Sequence, residues 1–219
     1  SLSNNVTAVE EDELLDVVGP LGNPTEIEKI GTVVTVGGGL GIAPLFPISR
    51  AFYEAGNRVI SIIGARNKDL IFWDDRIKSV CNDLRICTDD GSLGRKGFVS
   101  DELGSIIYSE NESVGLVFAI GPTIMMKVVA DTTRAKGIKT IISLNPVMVD
   151  GTGMCGACRV EVDGKTFFAC VDGPDFDAHQ VNFDLLMKRQ QAFKREEKLS
   201  LENYNKKCKA ELKLENAGS

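Results

Sequence analysis

The chain has 219 residues, with 25 Lys and Arg against 31 Asp and Glu, a formal charge of −6, 43% hydrophobic and 26% charged residues. That is globular composition, long enough to bury a sizeable core as one large domain with a small appendage. The acidic balance argues against nucleic-acid binding, because no basic excess is available to neutralise phosphates, and no apolar run approaches the roughly 20 residues that cross a bilayer.

Residues 1–27 open with an acidic run, Glu10-Glu-Asp-Glu13, and reach Asp16-Val-Val-Gly-Pro-Leu-Gly22, which reads as a short strand entering a turn. This stretch is too short for a domain and is expected to be a linker or the remnant of a preceding one. The N-terminus lacks a signal pattern and is not Met, so the chain is read as cytoplasmic and as a processed product or a piece of something longer.

From Gly31 the pattern turns regular. Thr32-Val-Val-Thr-Val36 is a β-branched strand, followed by glycines and a helix over about 41–55. Arg58–Ile63 is a second strand, residues 68–79 are expected to be helical, and Asp83–Thr88 is a third strand. A turn-rich loop, Asp89 to Gly97, precedes a helix over 99–108. Val114–Ile120 is the fourth strand, 123–136 the next helix, and 139–144 the fifth strand. Alternation of helices with continuously apolar strands predicts an α/β architecture, an open, parallel five-stranded nucleotide-binding sheet covered on both faces, over 28–144.

Beyond Asn145 the alternation stops. Residues 145–180 are rich in Gly and Cys, and Val160–Val162 and Thr166–Phe168 flank Asp163-Gly164, a strong hairpin signal. The expected organisation is a small β-hairpin subdomain over 145–180, then a C-terminal helix and tail over 181–219. That helix, over 183–213, is expected to set Leu186 and Phe193 on one surface or partner-facing side.

Three loops sit where a parallel sheet binds ligands, at the carboxyl ends of its strands. Gly37-Gly-Gly-Leu-Gly-Ile-Ala-Pro44 follows the first strand and opens a helix, so its amides are placed to cradle a pyrophosphate. It departs from the strict Gly-x-Gly-x-x-Gly fingerprint, and a plain tight turn is the competing reading. The candidate dinucleotide-binding positions are Gly37, Gly38, Gly39, Leu40, Gly41, Ala43 and Pro44, then Arg66 after the second strand, Asp89, Asp90 and Gly91 after the third, and Gly121, Pro122 and Met125 after the fourth. Arg66 is placed near an adenosine ribose and is also readable as a solvated strand-end charge. The choice between NAD(H) and NADP(H) stays open.

The sharpest pattern is Asp150-x4-Cys155-x2-Cys158-x11-Cys170. A plant-type [2Fe-2S] site uses C-x4-C-x2-C and one distant Cys. Here Asp150 stands in the first position and keeps the negative charge, so no Rieske-like rise in potential is expected. Gly151, Gly153 and Gly156 let the chain wrap and aim amides at the sulfurs. A zinc site of three thiolates and one carboxylate is the rival reading, which would make the chain a zinc-stabilised dinucleotide-binding regulator. Three inert thiols, or a fourth ligand other than Asp150, are further alternatives. Of the remaining cysteines, Cys81 and Cys87 are expected to pack inside and Cys208 to lie on the surface. His179, the single histidine, is expected to be structural, with a supporting role near Cys170 left open.

The Gly37–Pro44 and Asp89–Gly97 loops, Ala119-Ile-Gly-Pro122, Asn145–Asp150 with its three cysteines, and Cys170-Val-Asp-Gly-Pro-Asp-Phe-Asp177 together resemble a known group. It is the small-subunit family of NADH-dependent reduced ferredoxin:NADP oxidoreductase and sulfide dehydrogenase, related to the electron-transfer subunit of dihydroorotate dehydrogenase and to ferredoxin reductases. The resemblance runs from about Asp16 onward. It implies a [2Fe-2S] cluster held by Asp150, Cys155, Cys158 and Cys170, NAD(H) or NADP(H) in the sheet domain, and a role moving electrons between the dinucleotide, a flavin and the cluster. Asp150 points to the ferredoxin:NADP branch, since the dihydroorotate branch normally has Cys there. The resemblance also implies a large flavoprotein partner with [4Fe-4S] clusters, and ferredoxin reached through that complex. A dihydroorotate dehydrogenase or hydrogenase accessory role shares the same chemistry. Family members carry an N-terminal flavin barrel with an Arg-x-Tyr-Ser/Thr motif that these residues lack, so FAD is expected in the intact protein and weakly or not at all on this chain. No side-chain acid or base is expected to be catalytic.

Overall fold

The computed structural model describes residues 19–110 and 112–215, with side chains described as far as residue 206. Helices and strands follow in the order β1 (Thr32–Gly38), α1 (Ile42–Glu54), β2 (Arg58–Ala65), α2 (Asp74–Lys78), β3 (Asp83–Thr88), β4 (Arg95–Lys96), α3 (Val99–Gly104), β5 (Val114–Ile120), α4 (Thr123–Arg134), β6 (Thr140–Ser143), β7 (Arg159–Val162), β8 (Lys165–Phe168), β9 (Asp175–Asp177), α5 (Phe183–Gln190) and α6 (Lys194–Glu215). The strand expected near Asp16 and the surface placement of Cys208 both fall outside the described parts.

All five expected strands are present and central. The sheet they build has seven, in the order β4-β3-β2-β1-β5-β6-β9, with two short edge strands too brief to stand out by periodicity. Every pairing is parallel except the last, where β9 runs antiparallel to β6. The central pair is in register from Thr32↔Arg58 to Gly38↔Gly64. Alternate residues face opposite layers: Val34, Val36, Ile60 and Ile62 pack against α3 and α4, whereas Val33 and Val59 pack on Phe52 of α1. On that second face Thr35 is fully buried, and its hydroxyl meets those of Ser49 and Ser61, each at 2.9 Å.

Two expected helices are corrected. Residues 68–79 form a short 3-10 turn, Lys68–Leu70, an extended link and the brief α2. Leu70 to Trp73 are four consecutive apolar residues, which no single helix face can bury. Phe72 turns inward and Trp73, at φ 59°, packs edge-on to Phe46 with the Arg76 guanidinium 4.7 Å from its ring. The single helix expected over 183–213 is split into α5 and α6, so Leu186 is buried while Phe193 is 60% exposed in the break. The helix over 99–108 continues past α3 as a π-turn, Ser105–Ser109.

The β7–β8 hairpin turns at Asp163 (φ 50°) and Gly164 (φ 69°), as the Asp-Gly pair predicts. Its Val160 and Val162, with Cys158, Cys170 and Leu186, belong to the same buried cluster as Val34 and Met126. The cysteine segment and the sheet domain therefore share one core.

Candidate functional site

Strand order reverses at β1: the chain moves outward through β2, β3 and β4, then crosses to β5 and β6 on the other side. Ligands bind open α/β sheets in the crevice at such a switch point, outside the carboxyl ends of the strands. There the loops after β1, β2, β3 and β5 enclose a cavity of about 900 Å³. Of the candidate dinucleotide-binding positions, Gly38, Gly39, Leu40, Arg66, Asp89, Pro122 and Met125 line it.

The remaining predicted positions are not part of that lining. A Cβ on Gly41 would sit 2.4 Å from the Ile120 carbonyl oxygen, and one on Gly121 would sit 3.1 Å from the Gly38 nitrogen and oxygen. These two glycines lock the β1 and β5 loops together. Gly37 backs onto Leu45, and Ala43 and Pro44 belong to the first turn of α1. Asp90 accepts from the Ser92 hydroxyl (2.6 Å) and amide (2.9 Å), contacts that hold its carboxyl below the usual range, and Gly91 (φ 78°) completes that turn.

The lining also includes Gly64, Asp69, Leu70, Phe72, Cys87, Phe98, Asp101, Ile124 and Val128, which sequence reasoning missed. A signal existed for Gly64, whose place at the end of β2 mirrors Gly38 at the end of β1. Phe72 had none, since the broken helix is what delivers it. Asp101 accepts from the Phe98 amide at 3.0 Å and caps α3. Cys87 is buried, which pushes its thiol up to about 11 and leaves it unreactive. Cys81, expected inside, is half-buried.

The second constellation is the loop from Asp150 to Cys158. Asp150 accepts from the Thr152 amide through Oδ1 and from the Cys155 amide through Oδ2, both at 2.9 Å. These amides, Thr152 first, hold its carboxyl below the usual range. Gly151, Gly153 and Gly156 adopt φ of 78°, 83° and 64°, which side chains rarely tolerate. The Ala157 amide points at Cys155 Sγ (3.4 Å), and the Gly153 amide faces the Cys170 sulfur. Cys158 Sγ donates to Cys170 Sγ at 3.1 Å; both thiols are buried, while Cys155 is exposed.

Amides aimed at sulfur fit thiolate ligands of an iron–sulfur group. Of the four candidate ligands, Cys158 and Cys170 meet sulfur to sulfur, while the Asp150 carboxylate holds the Cys155 backbone amide. Among the described residues no three His, Cys, Asp or Glu side chains gather at a spacing that holds one metal ion. A tetrahedral zinc ion wants four donors around one point, whereas a two-iron cluster takes two protein ligands per iron. The donor set fits the cluster better.

His179 stands apart from these thiols. Its Nε2 lies 2.9 Å from Thr133 Oγ1, and its carbonyl accepts from Arg134 at 3.1 Å, so it ties the end of β9 to α4.

Comparison with known proteins agrees with this layout. Residues 145–182 match the family model described as the iron-sulfur cluster binding domain of dihydroorotate dehydrogenase B. The chain is 49% identical over 197 residues to a Thermotoga maritima homolog of the dihydroorotate dehydrogenase B (NAD(+)) electron transfer subunit, covering 90% of this chain and 69% of that protein. A probable subunit of the same kind from Methanocaldococcus jannaschii is 36% identical, with 80% of this chain and 66% of the relative covered. The chain thus spans about two thirds of the length of these relatives. Among solved structures, a chain of NADH-dependent reduced ferredoxin-NADP oxidoreductase, studied for flavin-based electron bifurcation, superposes with a TM-score of 0.84 at 47% identity, over 93% of this chain and 73% of that one. With its ferredoxin-reductase-like sheet and its iron–sulfur segment both matched, this chain belongs to the family of dihydroorotate dehydrogenase B electron transfer subunits and their homologues.

Proposed function

We propose that this chain is the dinucleotide- and cluster-bearing part of an electron-transfer subunit in an NAD(H)-linked oxidoreductase. The cavity at the carboxyl ends of the strands takes the dinucleotide, and Asp150, Cys155, Cys158 and Cys170 hold a [2Fe-2S] cluster. In this assignment Cys158 and Cys170 serve one iron, and Asp150 and Cys155 the other. The observation that carries the reading is the paired donor set on a glycine loop whose amides face the sulfurs.

When bound, a nicotinamide supplies hydride, a [2Fe-2S] cluster one-electron storage, and a flavin the exchange between the two. The residues of this chain bind and position. Gly38 and Gly39 let a pyrophosphate approach the backbone at the start of α1. Asp69, Asp89 and Asp101 line the same cavity against one cation, Arg66. That balance favours a free ribose hydroxyl over a 2′-phosphate, and so NAD(H) over NADP(H). FAD is the flavin that the family resemblance implies for this exchange.

Around the cysteine loop, Leu21, Val147, Met148, Val149, Met154 and Val171 are all exposed, Met154 to 89% and Val149 to 68%. An apolar rim beside a redox group suits a docking face for a larger partner subunit. The partner implied by the family resemblance is a large flavoprotein with [4Fe-4S] clusters, through which ferredoxin is reached, and the likeness to a chain of NADH-dependent reduced ferredoxin-NADP oxidoreductase supports that reading. The family model over residues 145–182 favours a dihydroorotate dehydrogenase subunit instead. Identifying the subunit that co-purifies from native cells separates these. Among the described residues no helix is long and apolar enough to cross a membrane, and the thiol-rich site suits the reducing cytoplasm.

The test is metal and sulfide analysis of anaerobically prepared protein. Two irons and two acid-labile sulfides per chain are expected, falling to near zero in Cys158→Ser and Cys170→Ser. Folded wild-type protein holding zinc, or holding no iron, overturns the cluster.

A further inference from the structure

The segment between Cys155 and Cys158 is gripped by a cation that the ligand set does not explain. Arg189, half-buried in the last turn of α5, donates from Nη2 to the Ala157 carbonyl at 3.1 Å. The carboxylate on the same helix, Asp184, is committed to Lys127 at 2.7 Å, and no acidic side chain among the described residues is ion-paired to Arg189. A second guanidinium, that of Arg159, lies 3.5 Å from where a Cβ on Gly156 would stand. Positive charge is therefore concentrated on the Gly156-Ala157 backbone, between two candidate ligands.

Arg189 is also fixed rather than swinging in solvent. Asn182 caps α5 by accepting from the Leu185 amide (3.0 Å), and Leu186 anchors the helix in the core. At the far end Gln190 donates to the Asn145 carbonyl (3.0 Å) and accepts from the Thr123 hydroxyl (2.7 Å). Asn145 opens the cluster segment, and Thr123 opens α4 beside the cavity-lining Pro122 and Ile124. The final turn of α5 thus clamps the cysteine loop to the dinucleotide end of the sheet.

We infer that Arg189 is a positioning residue that raises the reduction potential of the cluster, a proposal resting on the [2Fe-2S] assignment above. A cluster with four anionic ligands becomes more negative on accepting an electron. A fixed cation nearby stabilises the reduced state more than the oxidised one, and partial burial keeps the attraction from being screened away. Hydrogen bonding and local charge are among the levers that set such potentials.

The experiment is an EPR-monitored redox titration of the full chain carrying its cluster, with iron and sulfide measured on each sample. In Arg189→Gln the ratio of reduced to oxidised cluster, at the wild-type midpoint, is expected to fall about tenfold, a shift of about 59 mV to more negative potential for a one-electron couple. Lys188→Gln, an exposed neighbour, is expected to leave the midpoint in place. Arg189→His provides the same comparison within one protein: its midpoint falls as pH rises through about 6.5, where histidine loses its charge, by more than in wild type. An unchanged midpoint in a fully loaded Arg189→Gln protein overturns the proposal, as does an equal shift in Lys188→Gln. Loss of the cluster from both Arg189 variants also overturns it, showing that the residue serves assembly. If wild type itself carries neither iron nor sulfide, the cluster assignment fails and not the role of Arg189.

Discussion

Gly39 and Gly41 sit two residues apart in the same loop for different reasons. Gly39 has φ of 55° with open space where a Cβ would go, so its constraint is conformational, and an Ala there costs about 1 kcal/mol. Gly41 has an ordinary helical φ of −62°, yet a Cβ would press to 2.4 Å from the Ile120 carbonyl oxygen. That oxygen belongs to the central strand β5 and has nowhere to retreat. We expect Gly41→Ala to lose about 1–3 kcal/mol in urea denaturation and to weaken NADH binding severalfold in titration, because it pries the β1 and β5 loops apart. Gly39→Ala is the comparison: a smaller loss of stability. Near-wild-type stability and affinity for Gly41→Ala would show that the two loops can move apart freely.

At the scale of elements, the best-defined device is the pin between β3, β4 and α3. Arg85 on β3 bonds Asp83, Glu102 and Glu110, and Arg95 on β4 reaches the other oxygen of Glu102 at 2.6 Å. Glu102 is buried in α3, the helix whose first turn lines the cavity. Burial pushes its carboxyl up, but the hydrogen bonds from Arg95 and Arg85 outweigh this and leave it below the ordinary value of 4.5. The folded value is therefore depressed. The contribution of Glu102 to stability is complete above about pH 4.5 and is lost as pH falls through the folded value. Glu102→Ala should cost about 1–2 kcal/mol at pH 7, since it removes the partner of half-exposed Arg95 and one of the three carboxylates that hold Arg85, and should flatten the acid limb of the stability curve. Thermal melts from pH 3 to 7 check both. An acid limb as steep as wild type would place the acid sensitivity elsewhere.

For the whole molecule, the question is what makes one body of a dinucleotide sheet and a cysteine loop. Part of the answer is the shared core, in which Cys158 and Cys170 lie with residues of β1, α4 and α5. Another part is the entry segment, which spans both ends. Asn23 donates to Asp172 and Gly173, and Thr25 to Asp175, on the cysteine side. Farther along, buried Asn57 accepts from the Ile30 and Gly31 amides and donates to the Glu28 and Phe52 carbonyls, using all four of its hydrogen-bonding positions. Asn57→Ala should cost about 3 kcal/mol, because it removes at once four hydrogen bonds that tie the entry segment and α1 together at the start of β1. Urea denaturation measures this. A loss under about 1 kcal/mol would mean that water replaces the side chain without penalty.

The sequence by itself determined the five central strands, the hairpin turn at Asp163-Gly164, the glycine loop after β1 and the spacing of Asp150, Cys155, Cys158 and Cys170. Each is written locally, in apolar runs, turn residues or fixed spacing, and needs no distant partner to be read. Only the tertiary structure decided the rest. Trp73 and Phe72 break a helix because Phe46 and the cavity take them up, and Asp175–Asp177 becomes a strand because β6 offers it an edge. Asp69, Asp101 and Phe98 join the cavity, and Arg189 reaches Ala157 across 32 positions of sequence. Such contacts depend on where other elements end up, and long-range packing of that kind leaves no periodic trace in the chain that makes it.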